Sequence, residues 1–169
     1  EQKVGLTDVT LAYSRPSMKG RSIFGDLVPF DKIWRTGANA RTKITFSTDV
    51  TINGQTLEKG TYAIFTKPAK TNWDVYFYSE FKGNGTPKEW DEKKVAAHIK
   101  VAVLQMPVKV ETFTATFDDL TNSSGVLGFL WEDVYVGVPF SVPTDAAVMA
   151  SIDEVMKGNP DANAFYAAA

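Results

Sequence analysis

The sequence predicts an all-β domain, an antiparallel β-sandwich followed by a short C-terminal helical hairpin. Three observations carry this expectation. Apolar and polar residues alternate with a period of two from residue 4 to residue 142, turn residues punctuate those runs at close spacing, and no helical pattern of crossover length interrupts them. Eight or more strands punctuated in this way belong to a sandwich or a barrel, with a jelly-roll arrangement among the topologies that fit. A chain of 169 residues has room for one well-cored domain, residues 1–142, and a small appendage, residues 143–169.

The elements follow in order. Residues 4–6 and 9–13 alternate, and in 42–46 Ile44 and Phe46 share a face. Val50, Thr51 and Ile52 lead into Asn53-Gly54 and then Gln55, Thr56 and Leu57. Asn-Gly between two such runs is a strong hairpin signal, because both central positions of the tight turn need positive φ. Lys59-Gly60 turns the chain into a strand over 61–66, which Pro68 ends. Trp73, Val75 and Phe77 alternate with Asp74, Tyr76 and Tyr78, and a polar loop follows over 79–94. Ala97, Ile99, Val101 and Val103 form one further strand, and Phe113, Ala115 and Phe117 another. Leu127, Phe129 and Trp131 precede a turn expected at Glu132-Asp133, from which Val134, Val136 and Val138 return.

After Pro143 the period becomes helical. Thr144 caps a helix to Lys157 with Val148, Ile152, Val155 and Met156 on one stripe; Gly158 closes it, and Asn159-Pro160 opens a second. Two short helices cannot bury their stripes alone, so they pack on the sandwich, on further helices or on a partner. The chain starts at Glu1 and stops inside an apparent helix, Phe165-Tyr166-Ala167-Ala168-Ala169, so the expectation is a removed leader or a cut start and a truncated tail.

Composition narrows the function classes. With 44% hydrophobic and 22% charged residues, this is the balance of a globular protein. A net charge of −2 argues against a nucleic-acid binder. No apolar run reaches the length of a transmembrane helix. There are no cysteines and one histidine, which removes disulfides, thiolate chemistry and multi-histidine metal sites. Nucleophile-elbow, Walker and Rossmann motifs are missing, so the sequence calls for no cofactor and identifies no catalytic residue.

The charge is unevenly spread. Between Ser14 and Arg41 stand six basic residues (Arg15, Lys19, Arg21, Lys32, Arg35, Arg41) and two acidic ones (Asp26, Asp31), a local +4. Guanidinium forks suit carboxylate, phosphate or sulfate. Gly20, Gly25 and Gly37 permit positive φ, and Trp34 and Tyr13 offer flat faces. The candidate ligand-binding residues are therefore Tyr13, Arg15, Lys19, Arg21, Trp34, Arg35 and Asn39, for a small anion or a carbohydrate. The competing reading makes Arg15 and Arg35 structural, paired with Asp26, Asp31 or loop carbonyls, and makes Trp34 a plug for one end of the sandwich.

The motifs Tyr13-Ser14-Arg15-Pro16, Lys19-Gly20-Arg21, Ile23-Phe24-Gly25, Leu27-Val28-Pro29 and Trp34-Arg35-Thr36-Gly37-Ala38-Asn39 resemble the signature of the DUF2911 family. So do Leu57-Glu58-Lys59-Gly60-Thr61-Tyr62, Leu130-Trp131 and Val138-Pro139-Phe140. The resemblance covers roughly residues 4–142. It implies an all-β domain of bacterial proteins, mostly exported to the periplasm or surface and common in Bacteroidetes, sometimes followed by helical repeats, with no established activity. One departure stands out: similar proteins carry Glu and Ala after the Asn, where this chain has Ala40 and Arg41. A family carboxylate at that point is absent here.

Other residues admit quieter readings. His98 on a strand reads as a surface or satisfied polar residue. Asp91-Glu92, Asp118-Asp119 and Glu132-Asp133 fall in predicted turns, where carboxylates are most often solvated. Asn159, Asp161 and Asn163 have calcium-loop spacing without the later Gly and Glu, and Asn159 reads better as a cap. Trp73, Tyr76, Tyr78, Phe81 and Trp90 form either a solvent-side aromatic platform or a second layer of core under the 79–94 loop, the latter being favoured. The leading expectation is an extracytoplasmic binding or assembly module. The alternatives are a hydrolase of a carbohydrate-like substrate and a scaffold that docks a protein through its helical tail.

Overall fold

The computed structural model describes residues 1–157. Nine strands build one antiparallel sheet: β1 (Gln2–Val4), β2 (Thr7–Ala12), β3 (Lys43–Phe46), β4 (Val50–Ile52), β5 (Gln55–Leu57), β6 (Gly60–Pro68), β7 (Asn72–Tyr78), β8 (Val95–Asp118) and β9 (Ser124–Ser141). They lie in the order β1-β2-β3-β6-β7-β8-β9-β4-β5. The run β6-β7-β8-β9 is a meander of consecutive hairpins rather than the interleaved Greek keys of a jelly roll. The sheet is not closed: β1 and β5 remain edges.

The sandwich arises because β8 serves both layers. Its first part, from Val95 to Ala102, pairs with β7, and its later part, from Val103 to Asp118, pairs with β9. The layers face each other across one core, as Phe46 on β3 and Phe140 on β9 illustrate with ring centroids 6.0 Å apart. The alternation read from the sequence points inward as expected, with Trp73, Val75, Phe77, Ala97, Leu127, Phe129 and Trp131 all buried. The Asn53-Gly54 turn has φ of 51° and 72°, the positive pair its hairpin requires.

Two expectations are corrected. The stretch from Ala97 to Phe117 is a single long strand whose register against β9 shifts between Gln105 and Val110 and again between Val110 and Thr114. Glu132-Asp133 is likewise no turn, since β9 runs straight through it. Glu132 takes φ 55° as a bulge inside the strand. Bulges keep the ladder going where a sequence reading inserts a break, because charge, Pro107 and a lost alternation look the same in both cases.

A second, smaller cluster lies on the outer face of β6 and β7. Ala63, Phe65 and Tyr78 are buried there beneath Phe81 and Trp90 of the 79–94 loop. Trp90 stacks on Tyr78 at 4.7 Å and meets Phe65 edge-on at 5.6 Å. Tyr76, Tyr78, Phe81 and Trp90 thus form a second layer of core under the loop, whereas Trp73 belongs to the main core. Arg41 pins that loop. Its Nε donates to the Gly85 carbonyl at 3.0 Å, and its Nη1 donates to the Glu80 carbonyl at 2.7 Å. Its guanidinium carbon lies 5.5 Å from the centroid of the Phe65 ring. Glu80 is held below the usual carboxylate range, first by its hydrogen bond with Lys94 and then by Arg41.

The helix α1 (Thr144–Lys157) follows the predicted bounds, and none of its residues is buried. Val148, Met149, Val155 and Met156 are exposed. Thr144 does not cap it by side chain; its hydroxyl donates to the Asn122 carbonyl. The expected second helix and the Asn159 cap lie outside the described residues.

Candidate functional site

Residues 13–41 form no named strand. They cross the domain between β2 and β3 and are tied to it at several points, two of them short runs of backbone pairing. Residues 16–18 run along β8, with Met18 N–H donating to the Glu111 carbonyl and Phe113 N–H to the Pro16 carbonyl, both at 2.8 Å. Trp34 exchanges backbone hydrogen bonds with Thr66 of β6 at 2.7 and 2.9 Å. These ties are why a segment so rich in Gly, Pro and charge holds one course.

Between the ties the indole of Trp34 turns into the core. It stacks on Trp131 at 6.0 Å with 17° between planes, and meets Trp73 and Phe113 edge-on at 6.1 and 5.4 Å. Its Nε1 donates to the Gly37 carbonyl at 3.0 Å, closing the 34–37 turn on itself. Gly37 (φ 149°) is tightly placed, since an added Cβ would lie 3.1 Å from Thr42 Oγ1 and 3.2 Å from the Ser14 carbonyl and would push those neighbours back by a few tenths of an ångström.

Arg35 points elsewhere. With Arg21, Trp34, Trp131, Leu27 and Val28 it lines a cavity of about 380 Å³. Its Nε is buried and has no hydrogen-bond partner among the described residues. Nor does Arg35 join any of the ion pairs among those residues. Arg21 is braced by carbonyls, its Nε donating to Met18 at 2.9 Å and its Nη2 to Ser17 at 2.8 Å, contacts that orient the guanidinium without neutralising it. The cavity therefore combines two guanidinium groups with two indoles and aliphatic walls, and no carboxylate lines it.

The remaining candidates do not line this cavity. Arg15 binds β8, donating to the Phe113 carbonyl at 3.4 Å and to Thr114 Oγ1 at 3.1 Å. The Tyr13 hydroxyl accepts the Ala115 N–H at 3.1 Å. Lys19 (φ 50°) offers its backbone N–H to Glu111 at 2.9 Å while its residue stays exposed. Asn39 (φ 58°) is exposed, and its carbonyl meets Gly85 N–H at 3.4 Å where the 79–94 loop docks.

A family model described as "Protein of unknown function (DUF2911)" matches residues 1–140. The chain belongs to the DUF2911 family. No curated protein and no solved structure matches it. In this DUF2911 domain Arg41 sits away from the guanidinium-lined cavity and works as the staple of the 79–94 loop.

Sequence reading missed one polar residue of note. Glu132 is 9% exposed, and its Oε2 accepts the N–H groups of Ile23 at 3.1 Å and Phe24 at 3.4 Å. It therefore fastens the segment that walls the cavity. No signal near residue 132 announces donors more than a hundred positions earlier. His98 is satisfied on the outer face, 2.9 Å from Asp74 and stacked on Tyr76 at 4.6 Å. Among the described residues, no three metal-ligating side chains gather and no helix is long and apolar enough to cross a membrane.

Proposed function

We propose that this domain is a binding module for a small anion with an apolar body, held between Arg21 and Arg35 against Trp34 and Trp131. One observation carries the reading: Arg35 Nε is buried beside a cavity with no internal partner. Leaving a buried guanidinium N–H without a partner is costly, and a carboxylate or sulfo group drawn against the half-buried Arg35 would remove that cost with a two-pronged contact. The cavity lies at the lower end of the roughly 300–1,000 Å³ usual for ligand sites. The lack of a lining carboxylate, and the placement of His98 elsewhere, favour binding over hydrolysis. The family resemblance supports placing this activity outside the cytoplasm.

Thermal unfolding with acetate, benzoate, sulfate and phosphate tests this. Benzoate should raise the midpoint saturably, by roughly 3–5 °C at tenfold excess over its Kd, and the gain should shrink with added salt. Arg35→Ala should abolish the gain, and Arg35→Lys should recover little of it, since the fork is lost. Equal responses of wild type and Arg35→Ala would refute the site.

A second reading, docking of a protein on the tail, is favoured by the exposed Val148, Met149, Val155 and Met156. Light scattering of the whole chain, before and after Met149→Glu, checks whether that stripe joins two copies.

A further inference from the structure

A second cavity of about 380 Å³ lies across the aromatic cluster from the first. Phe24 joins them, 5.0 Å from Trp73 on one side and 6.2 and 6.3 Å from Trp34 and Trp131 on the other. We propose that this second cavity binds a neutral saccharide unit, independently of the anion site.

Its lining includes Glu132 and Asp133, Lys70, Gln105, and the rings of Phe24 and Trp73. Two carboxylates disfavour an anion, and Lys70 disfavours a simple cation. Sugar hydroxyls both donate and accept, so they need acceptors and donors around them, which these four polar groups supply. The C–H faces of a pyranose need apolar surface, which the half-buried rings of Phe24 and Phe30 supply.

Glu132 provides the second line of argument. It is a non-glycine residue at φ 55° in the middle of a strand, where the pairing slips from Val134 opposite Gln105 to Glu132 opposite Val110. Bulges of this kind re-aim a side chain, and strained backbone at a buried polar residue points to a role. Only one carboxylate oxygen is consumed, by the Ile23 and Phe24 amides. The other, Oε1, has the Lys109 ammonium at 3.7 Å, beyond hydrogen-bond reach, and keeps its accepting capacity.

The test titrates the full chain with glucose, galactose and N-acetylglucosamine, with glucuronate as the charged control, followed by calorimetry. At least one neutral sugar should bind saturably, with glucuronate about tenfold weaker or more. Asp133→Asn, which exchanges a charged acceptor for a neutral one, and Gln105→Ala, which removes a hydrogen bond to a sugar hydroxyl, should each weaken that binding about tenfold. The thermal midpoint without sugar should stay in place. Gln105 is exposed, so its variant keeps the test sound if Asp133→Asn misfolds. Arg35→Ala should bind sugar as the wild type does, which separates this outcome from the fate of the anion site. The proposal is overturned by no saturable binding of any neutral sugar, by glucuronate binding as tightly, by both variants binding normally, or by loss in Arg35→Ala.

Discussion

Arg35 and Arg41 stand six positions apart and do opposite things. Arg41 is 6% exposed and spends its donors on the Glu80 and Gly85 carbonyls, so Arg41→Ala should cost about 2 kcal/mol through the loss of those two charge-assisted hydrogen bonds and of its packing on Phe65. Arg35→Ala removes a donor without a partner, so denaturant unfolding should register little loss, under about 1 kcal/mol, or a gain. A large loss there would show that Arg35 is structural. Tyr135 gives a pH prediction. Its phenol is pushed up to about 12 from 10.0, first by burial and then by the hydrogen bond to Asp118 at 2.9 Å. A raised phenol stabilises the fold while neutral, so its contribution is whole below pH 10 and lost as pH rises through about 12. Alkaline titration followed by circular dichroism should show a steeper loss for the wild type than for Tyr135→Phe in that window.

At the scale of elements, the turn between β1 and β2 is packed against the start of α1. A Cβ at Gly5 (φ 55°) would sit 1.9 Å from Thr144 Oγ1 and 2.2 Å from the Asn122 carbonyl. Gly5→Ala should therefore destabilise by about 2 kcal/mol and speed hydrogen exchange in β1. Legibility in the sequence follows the range of the cause. Asn53-Gly54 and the inward set Trp73, Val75 and Phe77 are set by neighbours one or two positions away, and they read correctly. The joining of β8 across Gln105 to Thr114, and the bulge at Glu132, depend on which strand lies opposite, and they do not. The site divides in the same way. Arg21, Trp34 and Arg35, which stand out by residue type, line one cavity, whereas the placing of Arg15 on Thr114 and of Asn39 beside Gly85 is settled by a strand and a loop formed much later in the chain.

For the molecule at large, every member of the main core among the described residues lies between Val4 and Val142. A chain ending after Pro143 should unfold cooperatively with a midpoint within about 2 °C of the full chain, because α1 buries none of its own residues. Loss of the cooperative transition would mean that the helix covers the sheet in a way its exposure does not reveal.

β8 carries one further consequence. It lends its first part to one layer and its later part to the other, and early in that later part, where the pairing with β9 shifts register, lies the exposed run around Pro107 and Val108. Severing the backbone there would leave two fragments, each holding an unfinished layer whose missing companion is the other piece. Reassembly would then be bimolecular and its apparent stability would rise with concentration, which makes this strand a natural seam for a split reporter.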